Sequence, residues 1–340
     1  MSPLPAIMNC TSMKRRLGGA IFVAVLLSAI RHAGEAASGN IVPTQHSIPD
    51  DAGLEYAAER AGGCGTIRLG ETTVATLHNE PIVTVFANGA ALTLLLDTGA
   101  EATILTPAVA QRIGAQRPHI EFERQMHGIT GSLPTGEVEL RSFTIGGVEI
   151  PWRRVRVAPI EIVNAFSGPL DGVLGADTLS SFDIDLDLPG HRMVLYGKQI
   201  CAVAAPVWNA PYVRIAAGRS PGGRLFFPAQ LDGHRISALF DTGAQFSVLS
   251  MRAAQSLGVS ETILGNDPPV MVRGAVGEQL SAHAHRFSRL VVDGDVIRNA
   301  EIDVTEMRLG EADLVLGIDF LETRRVWLSY GSQQIFLMRR

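Results

Sequence analysis

Two aspartates stand at positions where a carboxyl is expensive. Asp97 closes the largely apolar run 92–96, and Asp241 closes Ala238–Phe240. A charge at the end of a buried strand costs free energy unless something uses it. Each aspartate opens the same word: Asp97-Thr98-Gly99-Ala100 returns as Asp241-Thr242-Gly243-Ala244, 144 residues later. Thr supplies a hydroxyl that can bond backbone across a tight turn. Gly permits close approaches that a Cβ would block, and Ala keeps the site small. One such word is a curiosity, whereas two in matching context suggest a two-fold arrangement that brings the carboxyls together. Two carboxyls about 3 Å apart cannot both ionise easily and share one proton. They titrate as a pair. One member can deprotonate a water while the other protonates a carbonyl oxygen, which is general acid–base hydrolysis without a covalent intermediate. No cofactor and no metal are implied by that chemistry.

The elements around the two words repeat as well. The turns Asn88-Gly89 and Asp232-Gly233 each precede a word and sit between apolar strand-like runs, a hairpin signal. After each word comes an apolar pair, Ile104-Leu105 or Val248-Leu249. The hydroxyl residues Thr106 and Ser250 follow as N-caps of short helices, with Pro107 at a first helical position. Gly114 and Gly258 stand where the helices should end. Further on, Gly128-Ile129-Thr130-Gly131 pairs with Gly274-Ala275-Val276-Gly277. Asp171-Gly172-Val173-Leu174-Gly175 pairs with Asp313-Leu314-Val315-Leu316-Gly317. The period-two run 182–188 and its counterpart 326–330 read as strands. The organisation expected is therefore two homologous lobes, 65–197 and 212–340, joined by a connector at 198–211.

Together these motifs resemble the retropepsin-like aspartic proteases, in a tandem single-chain form that covers both lobes. The resemblance implies an all-β fold with short helices: two retropepsin- or pepsin-like lobes about a pseudo-two-fold axis, each later Gly motif packed beneath a catalytic loop. It implies Asp97 and Asp241 as the catalytic dyad. Thr98, Gly99, Ala100, Thr242, Gly243 and Ala244 are implied as loop support, with Thr98 and Thr242 cross-bonding between lobes. It implies Gly-rich flaps at His127–Ser132 and Arg273–Gly277, which places Gly128, Ile129, Thr130, Gly131, Gly274, Ala275, Val276 and Gly277 over an extended peptide. Neither flap carries the tyrosine of pepsin-like enzymes, so they are closer to the retroviral type. That type builds its site from two chains, whereas this chain carries both halves. Glu101 follows one word where Gln245 follows the other, and its charge is expected to raise the upper pKa of the pair.

The 340 residues carry 29 Lys plus Arg against 34 Asp plus Glu, a net charge of −5. Without a basic surplus, nucleic acid is not an expected partner. Charged residues are only 19%, while 35 Gly and 18 Pro favour short strands and tight turns over a helical bundle. Lys14, Arg15 and Arg16 precede a charge-free apolar run, 17–30, with small residues at Gly34, Ala36 and Ala37. This is the layout of a secretory signal peptide over residues 1–36. The run is short of the roughly 20 residues that span a bilayer, which disfavours an uncleaved anchor. Extracytoplasmic localisation, periplasmic or secreted, with no stable membrane span after cleavage, follows as an expectation. Loss of residues 1–36 removes four basic residues and one acidic residue and leaves about −8. Residues 37–64 read as a poorly ordered lead-in, which also leaves a propeptide role open. Cys64 and Cys201 would remain, free or paired.

Other motifs lead elsewhere and fail. Gly218-Arg219-Ser220-Pro221-Gly222 matches a nucleophile elbow, but the residue after the serine must donate an N–H and Pro221 has none; it reads as a loop. His283 and His285 lack a third ligand and read as an exposed strand pair. Asp183, Asp185 and Asp187 imitate a calcium loop, but Leu188 and Val194 occupy its Gly and Glu positions, so a solvated strand face is expected. His127 could touch substrate or sit on the surface. The reading is an extracytoplasmic aspartic endopeptidase with a peptide or protein substrate, a monomer in preference to a dimer. Its rival is a catalytically inactive peptide- or protein-binding module of the same fold.

Overall fold

The computed structural model describes residues 21–22, 28–29, 66–77, 79–117, 124–127, 132–160, 170–198, 205–274, 279–307 and 310–339. The architecture is mostly β, with two barrel-like lobes and, among the described residues, five short helices. In the N-terminal lobe the hairpin Glu80–Ala87/Ala90–Leu96 turns at Asn88 and Gly89, whose φ values of 53° and 84° define a two-residue turn of left-handed residues. Its counterpart, Leu225–Leu231/His234–Phe240, turns at Asp232 and Gly233 with 48° and 84°. The helices Pro107–Arg112 and Met251–Ser256 start where the sequence placed their caps. Thr106 accepts from the Val109 N–H and Ser250 from the Ala253 N–H.

Each strand that ends on an aspartate is clamped by the later Gly motif. Gly172–Leu174 lies parallel to Ala90–Leu96 and antiparallel to Ile104–Leu105. Leu314–Leu316 stands in the same relation to His234–Phe240 and Val248–Ser250. The short strands 104–105, 172–174, 248–250 and 314–316 are covered on both faces, and every residue in them is buried.

The lobes meet along six antiparallel strands. In order these are Arg68–Leu77, Arg192–Tyr196, Asp183–Asp187, Arg325–Ser329, Gln334–Met338 and Tyr212–Ala216. The pseudo-two-fold axis passes between Asp183–Asp187 and Arg325–Ser329, where Ile184 faces Leu328 and Leu186 faces Val326. Here the structure corrects the sequence reading: the carboxylates at 183 and 185 are not solvated. Asp185 is fully buried and receives two Arg325 guanidinium bonds, at 2.9 and 2.6 Å, and one from the Trp208 indole at 3.1 Å. Asp183, also fully buried, accepts from Ser329 Oγ at 2.9 Å and the Gly331 N–H at 3.0 Å. Only Asp187 is partly open to water, beside Arg192 and Arg325. The second lobe covers the face that water was expected to cover. Trp208, from the connector, packs with Tyr196, Trp327 and Phe336 over the same sheet.

Candidate active site

Asp97 and Asp241 meet at the axis, both buried. The sheets deliver them: the Asp97 N–H donates to Leu174 O at 3.1 Å and the Asp241 N–H to Leu316 O at 3.0 Å. Both chains then turn sharply. Asp97 Oδ1 accepts the N–H groups of Gly99 and Ala100, at 2.9 and 2.7 Å. Asp241 Oδ1 accepts from Gly243 at 2.8 Å. Each glycine is required by the carboxyl of the other lobe. A Cβ on Gly99 would fall inside the Asp241 carboxyl, and one on Gly243 would lie 2.5 Å from the Asp97 carboxyl carbon. The two threonines tie the loops together. Thr98 Oγ1 donates to Phe240 O at 2.7 Å and Thr242 Oγ1 to Leu96 O at 2.6 Å. Each hydroxyl also accepts the other threonine's N–H, at 3.2 and 3.1 Å. These four buried bonds all cross between lobes.

The dyad carboxyls hydrogen-bond each other, yet Asp97 Oδ2 finds no protein donor. Acceptor against acceptor in a buried site is satisfied by a shared proton. Burial pushes the Asp97 pKa well above its usual range, and the Asp241 charge adds to that rise. Burial raises Asp241 too, to about 6. Its bond to Asp97, the Gly243 N–H and the Arg224 charge hold it back.

A further layer under each loop escaped the sequence reading. Thr103 N and Oγ1 both donate to Asp177 Oδ1 at 2.8 Å, and Thr103 Oγ1 receives the Gly175 N–H at 3.1 Å. Ser247 binds Asp319 in the same way at 3.0 and 2.8 Å and receives the Gly317 N–H at 3.2 Å. The matching offsets of Thr103 to Ser247 and Asp177 to Asp319 were the signal available. Glu101 is not the free charge the sequence suggested. Arg224 Nη2 bonds Glu101 Oε1 at 2.5 Å, so the charge the dyad meets is the cation, which lowers Asp241 rather than raising the pair. The loop containing Ser220 is no elbow. Ser220 receives the Arg224 N–H on its hydroxyl at 3.2 Å, and the turn carries Arg224 to the other lobe.

Two hairpins flank the dyad loops. Arg124–His127 pairs with Ser132–Glu139, and Pro269–Arg273 with Leu280–Val292. The expected flap residues Gly128, Ile129, Thr130, Gly131, Ala275, Val276 and Gly277 lie outside the described residues. Gly274 directly follows the strand Pro269–Arg273 and is buried. Cys64 and Cys201 also lie outside them. Both hairpins pair with short strands from near the N-terminus: Ile21–Phe22 runs parallel to Arg124–His127, and Ser28–Ala29 antiparallel to Pro269–Arg273. His283 and His285 share one strand face but are half-buried rather than exposed, with His285 Nδ1 2.6 Å from Asp267 Oδ2. Among the described residues no cluster of three or more His, Cys, Asp or Glu could hold a metal ion, and no helix is long and apolar enough to cross a membrane.

Comparison with known proteins gives matches in both halves. The family model "Aspartyl protease" matches residues 83–178, and the model "gag-polyprotein putative aspartyl protease" matches 227–323. DNA damage-inducible protein 1 of Neurospora crassa is 29% identical over 125 residues, which is 34% of this chain and 25% of that protein. The chain thus spans about a quarter of that relative's length. The crystal structure of an aspartic proteinase from Irpex lacteus aligns over 79% of this chain and 96% of its own, with a TM-score of 0.43 and 13% identity.

Proposed function

Because the chain belongs to the retropepsin-like aspartyl proteases, as two such domains in tandem, we propose that it is an aspartic endopeptidase whose dyad is Asp97 and Asp241. The observation that carries this is the pair of buried, mutually hydrogen-bonded carboxyls fixed by four threonine bonds across the axis. One carboxylate takes a proton from water as the water oxygen attacks the peptide carbonyl carbon. The other carboxyl gives its proton to the carbonyl oxygen, forming a gem-diol. The proton taken from water then passes to the amide nitrogen, the C–N bond breaks, and a diol hydroxyl returns its proton to the second carboxyl. One water is consumed and the dyad is restored.

The substrate is an extended peptide bound by strand addition. The pairing of short N-terminal strands with both flanking hairpins supports this reading. Gly128–Gly131 and Gly274–Gly277 are the segments that would close over it. Residues 1–36 address the protein out of the cytoplasm, a reading supported by the basic run before the apolar one. Mass-spectrometric mapping of cut sites in a peptide mixture tests the whole proposal. Wild type is expected to cut, and Asp97→Asn and Asp241→Asn to fold and not cut. Cleavage retained by either variant refutes the mechanism, and peptide binding without cleavage by wild type indicates the binding module.

A further inference from the structure

The two short strands near the N-terminus follow the symmetry of the dyad. Ile21–Phe22 lies parallel to Arg124–His127, with Ile21 opposite Met126 and Phe22 opposite His127. Ser28–Ala29 lies antiparallel to Pro269–Arg273, with Ser28 opposite Arg273 and Ala29 opposite Val272. His127 and Arg273 are equivalents in the repeat, as are Met126 and Val272, at the same offset of 146 that relates the two Gly-rich segments after them. The pseudo-two-fold therefore carries the pairing of Phe22 onto that of Ser28, and the pairing of Ile21 onto that of Ala29. A strand that crosses a two-fold axis at right angles is reversed by the rotation, so it runs parallel to one hairpin and antiparallel to its twin. The two observed directions are those of one such strand. Position 25 is midway between 22 and 28 and between 21 and 29, so the register is centred on Val25. The axis is also where Asp97 and Asp241 meet.

The residue types suit that seat. From Ile21 to Ala29 the chain carries no charge, and Ile21, Phe22, Val23 and Val25 favour an extended backbone. Each lobe has an apolar cluster that joins its dyad loop to its flanking hairpin. Ala100 and Ile104 join Leu133 in one, and Ala244 and Val248 join Val272 in the other. Main-chain bonds of strand addition hold any sequence, so the walls set the preference. We propose that the chain is a substrate of its own site: residues 21–29 bind across the dyad as an extended strand, and the bond cut is Ala24–Val25 or Val25–Leu26. This rests on the hydrolytic reading above and names its substrate class, an extended, uncharged, apolar segment. One water adds across the C–N bond, leaving a carboxyl on residue 24 or 25 and an amine on the next. A chain that keeps its leader thus starts with its cleft filled, and the cut empties it.

Two measurements on the full chain, made by cell-free synthesis so that the leader is kept, separate the seat from the chemistry. The first uses Asp97→Asn protein with Cys10, Cys64 and Cys201 changed to Ser. Residues opposite each other on neighbouring strands lie about 5 Å apart, within disulfide reach. Phe22→Cys with His127→Cys, and Ser28→Cys with Arg273→Cys, should each bridge on oxidation, and the crossed pair Phe22→Cys with Arg273→Cys should not. Absence of either bridge overturns the seat. The second follows wild type by intact mass, alone and with an added peptide mixture. A new N-terminus should form at Val25 or Leu26, and Asp97→Asn should stay whole. Val25→Asp should slow the cut at least about tenfold, because a carboxylate would enter an apolar site; an unchanged rate overturns the substrate class. Added peptides cut while the leader stays whole, or a leader cut only outside 24–26, overturns self-cleavage and leaves the hydrolase reading standing. Both bridges formed with neither leader nor peptide cut refutes the hydrolase reading, and self-cleavage with it.

Discussion

At the scale of single residues, the dyad tolerates almost no added volume. Gly99→Ala and Gly243→Ala place a methyl inside the opposite carboxyl. A displacement of about 1 Å at reacting groups costs on the order of a hundredfold in rate. We expect at least that loss in kcat/KM for either variant, measured on a peptide wild type cuts, with a native circular dichroism spectrum. Glu80, fully buried, receives the Gln245 amide at 3.1 Å and makes a second prediction. Its folded pKa of about 8 lies above the ordinary carboxyl value of 4.5, so the folded state binds more protons than the unfolded one between those values. Its contribution to stability is fully present below about 4.5 and is lost as pH rises through about 8. Glu80→Gln keeps the contact with Gln245 and cannot ionise. Thermal unfolding should therefore fall less between pH 5 and 8 in this variant than in wild type. Equal slopes would show that Glu80 is ionised in the folded protein.

At the scale of elements, the inter-lobe sheet is held by a buried polar set as well as by its apolar face. Asp185→Ala leaves Arg325 and the Trp208 indole without their acceptor, and breaking such a pair costs about 3–5 kcal/mol. Asp185→Leu with Arg325→Met should recover much of that loss, because well-packed apolar replacements of a buried pair are often neutral. Urea unfolding midpoints check both. The sequence showed which residues form these strands but not how their polar faces are covered. Period two assigns Asp183, Asp185 and Asp187 to one face, and a single strand looks the same whether water or a second lobe lies against it. The caps at Thr106 and Ser250 and the turns at Asn88 and Asp232 were legible because their chemistry is local. Arg224–Glu101 and Glu80–Gln245 were not, since their partners lie more than a hundred residues apart.

At the scale of the whole molecule, the dyad itself was legible because duplication writes a tertiary relation into the primary sequence: two copies of one word predict one meeting point. Both halves of the site are on one chain, so specific activity should stay constant on dilution and the active species should sediment as a single chain. Activity that falls with dilution would mean that lobes pair between chains. A lobe made alone, 65–197 or 212–340, supplies one aspartate and should be inactive until the other is added.

The ends of the cleft carry one further consequence. A protease made of two copies of one gene product must accept every mutation twice, so a residue that suits one end is imposed on the other. Here position 224 holds a base while position 80, its equivalent at the offset of 144, holds an acid, because each is encoded once. Linkage of the halves thus removes a constraint on heredity: each half of the proposed catalytic pair can be tuned without altering its twin.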